Sequence, residues 1–183
     1  MLASCSPLVQ IEANELTEIK ENKMAEVTEQ QVIKAPELRV DQWIDKDGNK
    51  TDPIRLADFK GKHKIIYCFQ HWCPGCHSQG LPALQKLVKE FGDNNKIEFL
   101  AVQTVFEGSS SNTYDKIAET QKKYDLAIPF GHDPGEGSST IMQDYRTGGT
   151  PWFIFIDDKD NVVFADFHMN VDGTIKYFNE ILN

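Results

Sequence analysis

The sequence predicts an α/β protein with a mixed central sheet flanked by helices, and three observations carry that expectation. Apolar, β-rich runs alternate with segments of helical period through the first part of the folded region. Two further β-rich runs then follow each other across a short turn, ahead of a last helical segment. The most apolar of the strands, KIIYCF at 64–69, runs almost directly into Cys73-Pro74-Gly75-Cys76, which opens a helical segment.

The bulk properties narrow the function. A chain of 183 residues fits one domain with length left over, enough to bury a core without disulfide staples. A formal charge of −9 opposes phosphate-backbone binding, so no nucleic-acid partner is expected. Four cysteines, Cys5, Cys68, Cys73 and Cys76, are too few for a disulfide scaffold, and no second C-x-x-C completes a four-thiolate zinc site. A single working pair is the simpler account. No apolar run approaches the roughly 18 residues of a membrane span.

Residues 1–35 read as a signal remnant and polar tether, rich in Glu, Lys, Gln and Asn, with Leu16, Ile19, Met24 and Val27 only loosely periodic. Leu2-Ala3-Ser4-Cys5 resembles the lipobox of bacterial lipoproteins, which implies export and lipid modification of Cys5. The charged start and apolar segment of a secretory signal do not precede Leu2, so a cytoplasmic location is the alternative to a periplasmic or membrane-anchored one.

The folded domain is expected over 36–183. ELRVDQWIDKDGNK (37–50) reads as an extended segment turning at Asp47-Gly48, an N-terminal hairpin addition. After the strand at 64–69, Leu81, Leu84, Leu87, Val88 and Phe91 mark a helix that closes at Gly92. KIEFLAVQTVF (96–106) is the next strand, and NTYDKIAETQKKYDL (112–126) is a helix opened by Asn112 or Thr113. AIPF (127–130) gives a short strand, followed by a glycine-rich loop and a helix near 138–146. PWFIFIDD (151–158) and NVVFADF (161–167) form a hairpin turning at Lys159 to Asn161, and GTIKYFNEIL (173–182) is the last helix.

A C-x-x-C at a strand-to-helix junction has a redox use. The first cysteine sits where unpaired helix N–H groups favour negative charge, so its thiolate is stabilised and Cys73 is the expected nucleophile. Pro74 suits the first helical turn because its missing N–H has no partner to lose there. The two-residue spacer brings Cys76 within reach of a mixed disulfide on Cys73, making it the resolving cysteine. His71 and His77 flank the pair and, with Gln79 shortly after it, are candidates for pKa tuning.

From Pro36 on, about 80% of the chain resembles the thioredoxin-fold redoxin group, close to TlpA- and ResA-type thiol-disulfide oxidoreductases and related to AhpC/TSA redoxins. The resemblance rests on LADFKGK (56–62), WCPGC (72–76), Pro82 and GGTPWFIFIDDKDNVV (148–163). It implies a thioredoxin-like fold with an extra strand–helix insertion, and reduction of protein disulfides by dithiol–disulfide exchange. It also implies a cis bond before Pro151, with Thr150 and Pro151 presenting backbone to a substrate; Trp72 and Trp152, which flank the cysteine motif and the Thr-Pro, are expected to form an apolar rim that the substrate touches. No cofactor beyond the dithiol is expected; protein thiols or disulfides and an upstream electron donor are the expected partners, and the protein is expected to be monomeric.

The chain departs from that family at three positions. Tyr67 stands where a buried acid is usual, six residues before the first cysteine. Gln79 stands where the TlpA type often has Glu, and Pro82 lies one residue too far along, with Gly80 in between. A peroxiredoxin-like peroxidase is the main alternative, but it would want Thr rather than Gln70 three residues before Cys73 and a peroxide-polarising arginine, with Arg146 the one to consider. A haem or metal module is a further alternative. Cys73 to His77 spell C-x-x-C-H, with Met142, His168 or Met169 as distal haem ligands, and the two thiolates with His71 or His77 could hold zinc or copper.

Overall fold

The computed structural model describes residues 33–134 and 139–182. Cys5 and residues 1–32 of the expected tether lie outside the described residues.

The frame is a seven-stranded mixed sheet in the order β2-β1-β5-β4-β3-β6-β7. Its strands are β1 (Gln42–Ile44), β2 (Lys50–Thr51), β3 (His63–Phe69), β4 (Ile97–Thr104), β5 (Phe130–Asp133), β6 (Trp152–Ile156) and β7 (Val162–Asp166). Four helices cover it: α1 (Leu81–Phe91), α2 (Asp115–Lys123), α3 (Thr140–Tyr145) and α4 (Val171–Leu182). β3, β4 and β5 run parallel, each joined to the next by a crossover, whereas β6 lies antiparallel to β3. Because β6 starts at the sheet end where β3 finishes, with Trp152 opposite Cys68, the residues before β6 reach the residues after β3.

β3 is central because both of its faces are apolar. Ile65, Tyr67 and Phe69 point into one core with Leu81, Leu84, Leu87, Phe153 and Phe178, while Ile66 and Cys68 point into a second with Leu38, Trp43, Ile141 and Ile154. All five β3 residues are fully buried, and each large apolar one contributes about 1.5–3 kcal/mol of transfer free energy. α1 buries Leu81, Leu84, Leu87 and Phe91 on one stripe, as its period predicts.

The expected N-terminal hairpin is present: β1 and β2 turn through Gly48 at φ +83°, and β1 adds antiparallel to β5. Ile33, Lys34 and Ala35, ahead of the expected start at Pro36, bond to the distal hairpin. Ala35 N–H donates to Asp160 O at 2.9 Å and Val162 N–H to Ile33 O at 2.8 Å. That hairpin turns through Asp157, whose carboxylate accepts the Lys159 and Asn161 N–H groups at 3.0 and 2.7 Å. Lys64, fully buried, reaches across to pair with Asp160.

Two expectations need correction. The strand read at 127–130 starts at Phe130 and continues through Gly131, His132 and Asp133, residues read as part of a loop. Gly131 belongs there because the Trp43 ring lies over it: a Cβ would sit 3.1 Å from three ring carbons. Likewise α2 begins after Tyr114, not at Asn112, whose side chain is engaged elsewhere.

Candidate functional site

The site lies where β3 gives way to α1. Cys73 follows a tight turn in which its N–H donates to Gln70 O at 3.1 Å. Asn112, almost fully buried, holds that turn: its Oδ1 accepts the His71 N–H at 2.7 Å, and its Nδ2 donates to Glu107 O at 3.1 Å and Gly108 O at 3.0 Å. From Pro74 the chain is helical. The Cys76 N–H consequently points back at Cys73 Sγ, 3.2 Å away, one of the unpaired donors of a helix start aimed at a sulfur.

The two thiols are free and differ in access. Cys73 keeps 7% of its surface exposed, and Cys76 none. Burial, followed by the hydrogen bond with Cys73, pushes the Cys76 thiol up to about 12. On the other side of Cys73, its Sγ lies 3.7 Å from Thr150 O, just before the cis Thr150–Pro151 bond that the resemblance implied. Pro151 packs close to Gly75. Thr150 and Pro151 are therefore brought to the dithiol from 77 residues away in the chain.

The departures from the family pattern all fall in one place. The turn after the dithiol, Cys76–Gly80, is a π turn, one residue wider than an α-helical turn, which accommodates the late Pro82. Tyr67 lies beneath it with its hydroxyl donating to Cys76 O at 3.2 Å. Gly80 is obligatory: a Cβ there would come within 2.8 Å of the Tyr67 ring carbons and closer still to the hydroxyl. Gln79 is on the exposed face of the turn.

The histidines are turned to other partners. His77 Nε2 donates to His71 O at 2.5 Å and its Nδ1 meets the Tyr124 hydroxyl at 2.8 Å. His71 Nδ1 meets Thr120 Oγ1 at 3.1 Å, and partial burial lowers its pKa. Both rings thus serve the helix–loop framework. Trp72 is 45% exposed and rests against Gly108, while Trp152 is largely covered by Phe167 at a ring separation of 4.5 Å. Phe167, 37% exposed, is a rim residue the sequence did not single out.

The site and fold have relatives. Residues 33–165 match the AhpC/TSA family. The chain belongs to that family. Among curated proteins, the chain is similar to the thioredoxin-like protein YneN of Bacillus subtilis, 32% identical over 62% of this chain and 60% of that one. The chain thus spans about three-fifths of that relative's length. A solved thioredoxin-like superfamily protein is 31% identical, with a TM-score of 0.73 over 82% of this chain and 97% of the other. A thiol-disulfide isomerase from Corynebacterium glutamicum is 26% identical, with a TM-score of 0.67 over 81% and 96%. The fold is thioredoxin-like, as the sequence implied.

His77 has both ring nitrogens engaged, so the C-x-x-C-H pattern presents no free haem ligand in this arrangement. Met169 packs against the core. Among the described residues, no group of three or more His, Cys, Asp or Glu is placed to hold a metal ion. Gln70 is fully buried with its Oε1 accepting from Asn112, and Arg146 is exposed at the end of α3. No helix among the described residues is long and apolar enough to cross a membrane.

Proposed function

We propose that the protein is a thiol-disulfide oxidoreductase that reduces protein disulfides by exchange through Cys73 and Cys76. The observation that carries this reading is the asymmetry of the pair: Cys73 reaches the surface between a helix N–H and the Thr150 carbonyl, whereas Cys76 is sealed beneath it. Cys73 as thiolate attacks a substrate disulfide, one substrate sulfur leaves as a thiol, and a mixed disulfide forms. Cys76 then attacks Cys73 Sγ, the bond to substrate breaks, and the second substrate sulfur departs carrying the proton that Cys76 gives up. The protein is left as a Cys73–Cys76 disulfide, which an upstream dithiol donor reduces.

Thr150 and Pro151 border the nucleophile and supply backbone along which a substrate segment lies, with Trp72 as an apolar flank. The test is exchange with a disulfide-bonded protein substrate by wild type and two variants. Cys73→Ser is expected to abolish exchange, and Cys76→Ser to accumulate a mixed disulfide visible on non-reducing gels. A Cys73→Ser protein with undiminished exchange refutes the assignment.

A further inference from the structure

The wide turn after the dithiol leaves carbonyl groups that an ordinary helix would satisfy differently, and two tyrosines from outside the helix reach them. In the π register the Leu81 N–H donates to Cys76 O. The next donor in that register is residue 82, a proline without an N–H. The Tyr124 hydroxyl lies 3.1 Å from the His77 carbonyl and 2.8 Å from His77 Nδ1, which compete for its one proton, and the Cys76 carbonyl takes the Tyr67 hydroxyl as a second donor at 3.2 Å.

Tyr67 cannot easily leave this position. It is fully buried, stacked parallel to Phe69 at 6.0 Å and tilted on Phe153 at 4.8 Å. Gly80 provides the space its hydroxyl fills, so the inserted glycine, the wide turn and the tyrosine form one arrangement. A π turn inside a helix is a costly irregularity that recurs at functional sites.

We propose that Tyr67, acting through the Cys76 carbonyl and the π turn, is a positioning residue that holds Cys76 for the resolving attack. The inference rests on the exchange reading above and adds how this chain resolves its mixed disulfide where a buried acid is lacking. A phenol hydrogen-bonded to a carbonyl is a donor, and its burial raises its pKa further, so it takes no proton from Cys76. In the step it serves, the Cys76–Cys73 sulfur bond forms, the Cys73–substrate bond breaks, and the Cys76 proton leaves on the substrate thiol. No other oxidant or reductant enters.

The experiment compares wild type with Tyr67→Phe, which removes only the hydroxyl. Four quantities are read: the alkylation rate of Cys73, the decay rate of a mixed disulfide preformed with a model thiol, the equilibrium of the pair with glutathione, and the urea unfolding midpoint. Loss of one hydrogen bond that sets the turn is expected to slow decay about tenfold while alkylation changes less than about twofold. The pair's disulfide should be weakened against glutathione by about tenfold, a rise of about 30 mV in potential. A fall in unfolding midpoint with the two rates and the potential unchanged overturns the positioning role. Rates that fall in parallel overturn it too. Wild type that forms no mixed disulfide at Cys73 overturns the exchange reading, and this inference with it. Should Tyr67→Phe not fold, Gly80→Ala, whose methyl would meet the Tyr67 hydroxyl and displace it from the Cys76 carbonyl, is read with the same quantities and outcomes.

Discussion

Replacing Cys76 by serine in a Cys73→Ser background is expected to flatten the alkaline side of the stability curve. Burial, then the hydrogen bond with Cys73, raises the Cys76 thiol from 9.0 to about 12. The folded protein therefore keeps a proton that the unfolded chain releases. Stability from this group is complete below pH 9.0 and is lost as pH rises through the window to about 12. The slope in that window is about 1.4 kcal/mol per pH unit, so the full shift corresponds to about 4 kcal/mol and the part up to pH 10 to about 1.4 kcal/mol. Cys73→Ser removes the lesser cause and leaves the burial. Urea unfolding of Cys73→Ser and of Cys73→Ser/Cys76→Ser, under reductant at about pH 8 and pH 10, isolates the effect because the other alkaline groups are common to both. Those groups include Cys68, Tyr67 and Tyr145, all raised by burial. The single variant should lose about 1 kcal/mol more than the double between the two conditions. Parallel losses would show that Cys76 does not keep its proton in the fold, and the account of a sealed resolving thiol would fail.

Two other substitutions probe the frame around the site. Asn112→Ala removes the side chain that grips the His71 N–H and the Glu107 and Gly108 carbonyls, and is expected to cost about 1–3 kcal/mol. Native-state alkylation of Cys73 should quicken as its turn loosens; an unchanged alkylation rate would place Asn112 outside the site. Asp160→Ala leaves the buried Lys64 ammonium without its carboxylate and should cost toward the lower end of about 3–5 kcal/mol, because Asp160 itself is half exposed. Lys64→Met, which removes the charge altogether, should be near neutral by urea unfolding. Equal losses in both would mean that the pair itself, and not the stranded charge, sets the cost.

Most of the frame was legible because it follows from local rules. The apolar run of β3 has both faces buried, the leucine stripe of α1 has the right period, and the hairpin carries its turn residues. Cys73, Cys76, Thr150 and Pro151 came from motif and resemblance, and the antiparallel register of β6 explains why they meet. What stayed hidden depends on contacts between distant parts of the chain. Gly131 looked like a loop glycine because its reason for being in a strand is the ring of Trp43. Asn112 resembled a helix cap because that is its commonest local use, while here it serves a turn about 40 residues earlier. The two odd features at Tyr67 and Gly80 were each visible as departures, but their complementarity is not written in either residue alone. His71 and His77 drew attention by proximity in sequence, while the partners of their ring nitrogens, Thr120, Tyr124 and the His71 carbonyl, were not visible there.

The pleat of β3 also sorts the cysteine sulfurs of the described residues. Cys76 and Cys73 belong to the core on one side of the sheet, with Tyr67, while Cys68, the next residue along the strand, belongs to the core on the other. The sheet backbone lies between them, hydrogen-bonded on both sides to β4 and β6. For Cys68 to join the exchange, β3 would have to roll over and surrender both ladders at once. A further thiol can therefore share the fold with the Cys73–Cys76 pair and still be kept from bonding to it, so long as the sheet holds.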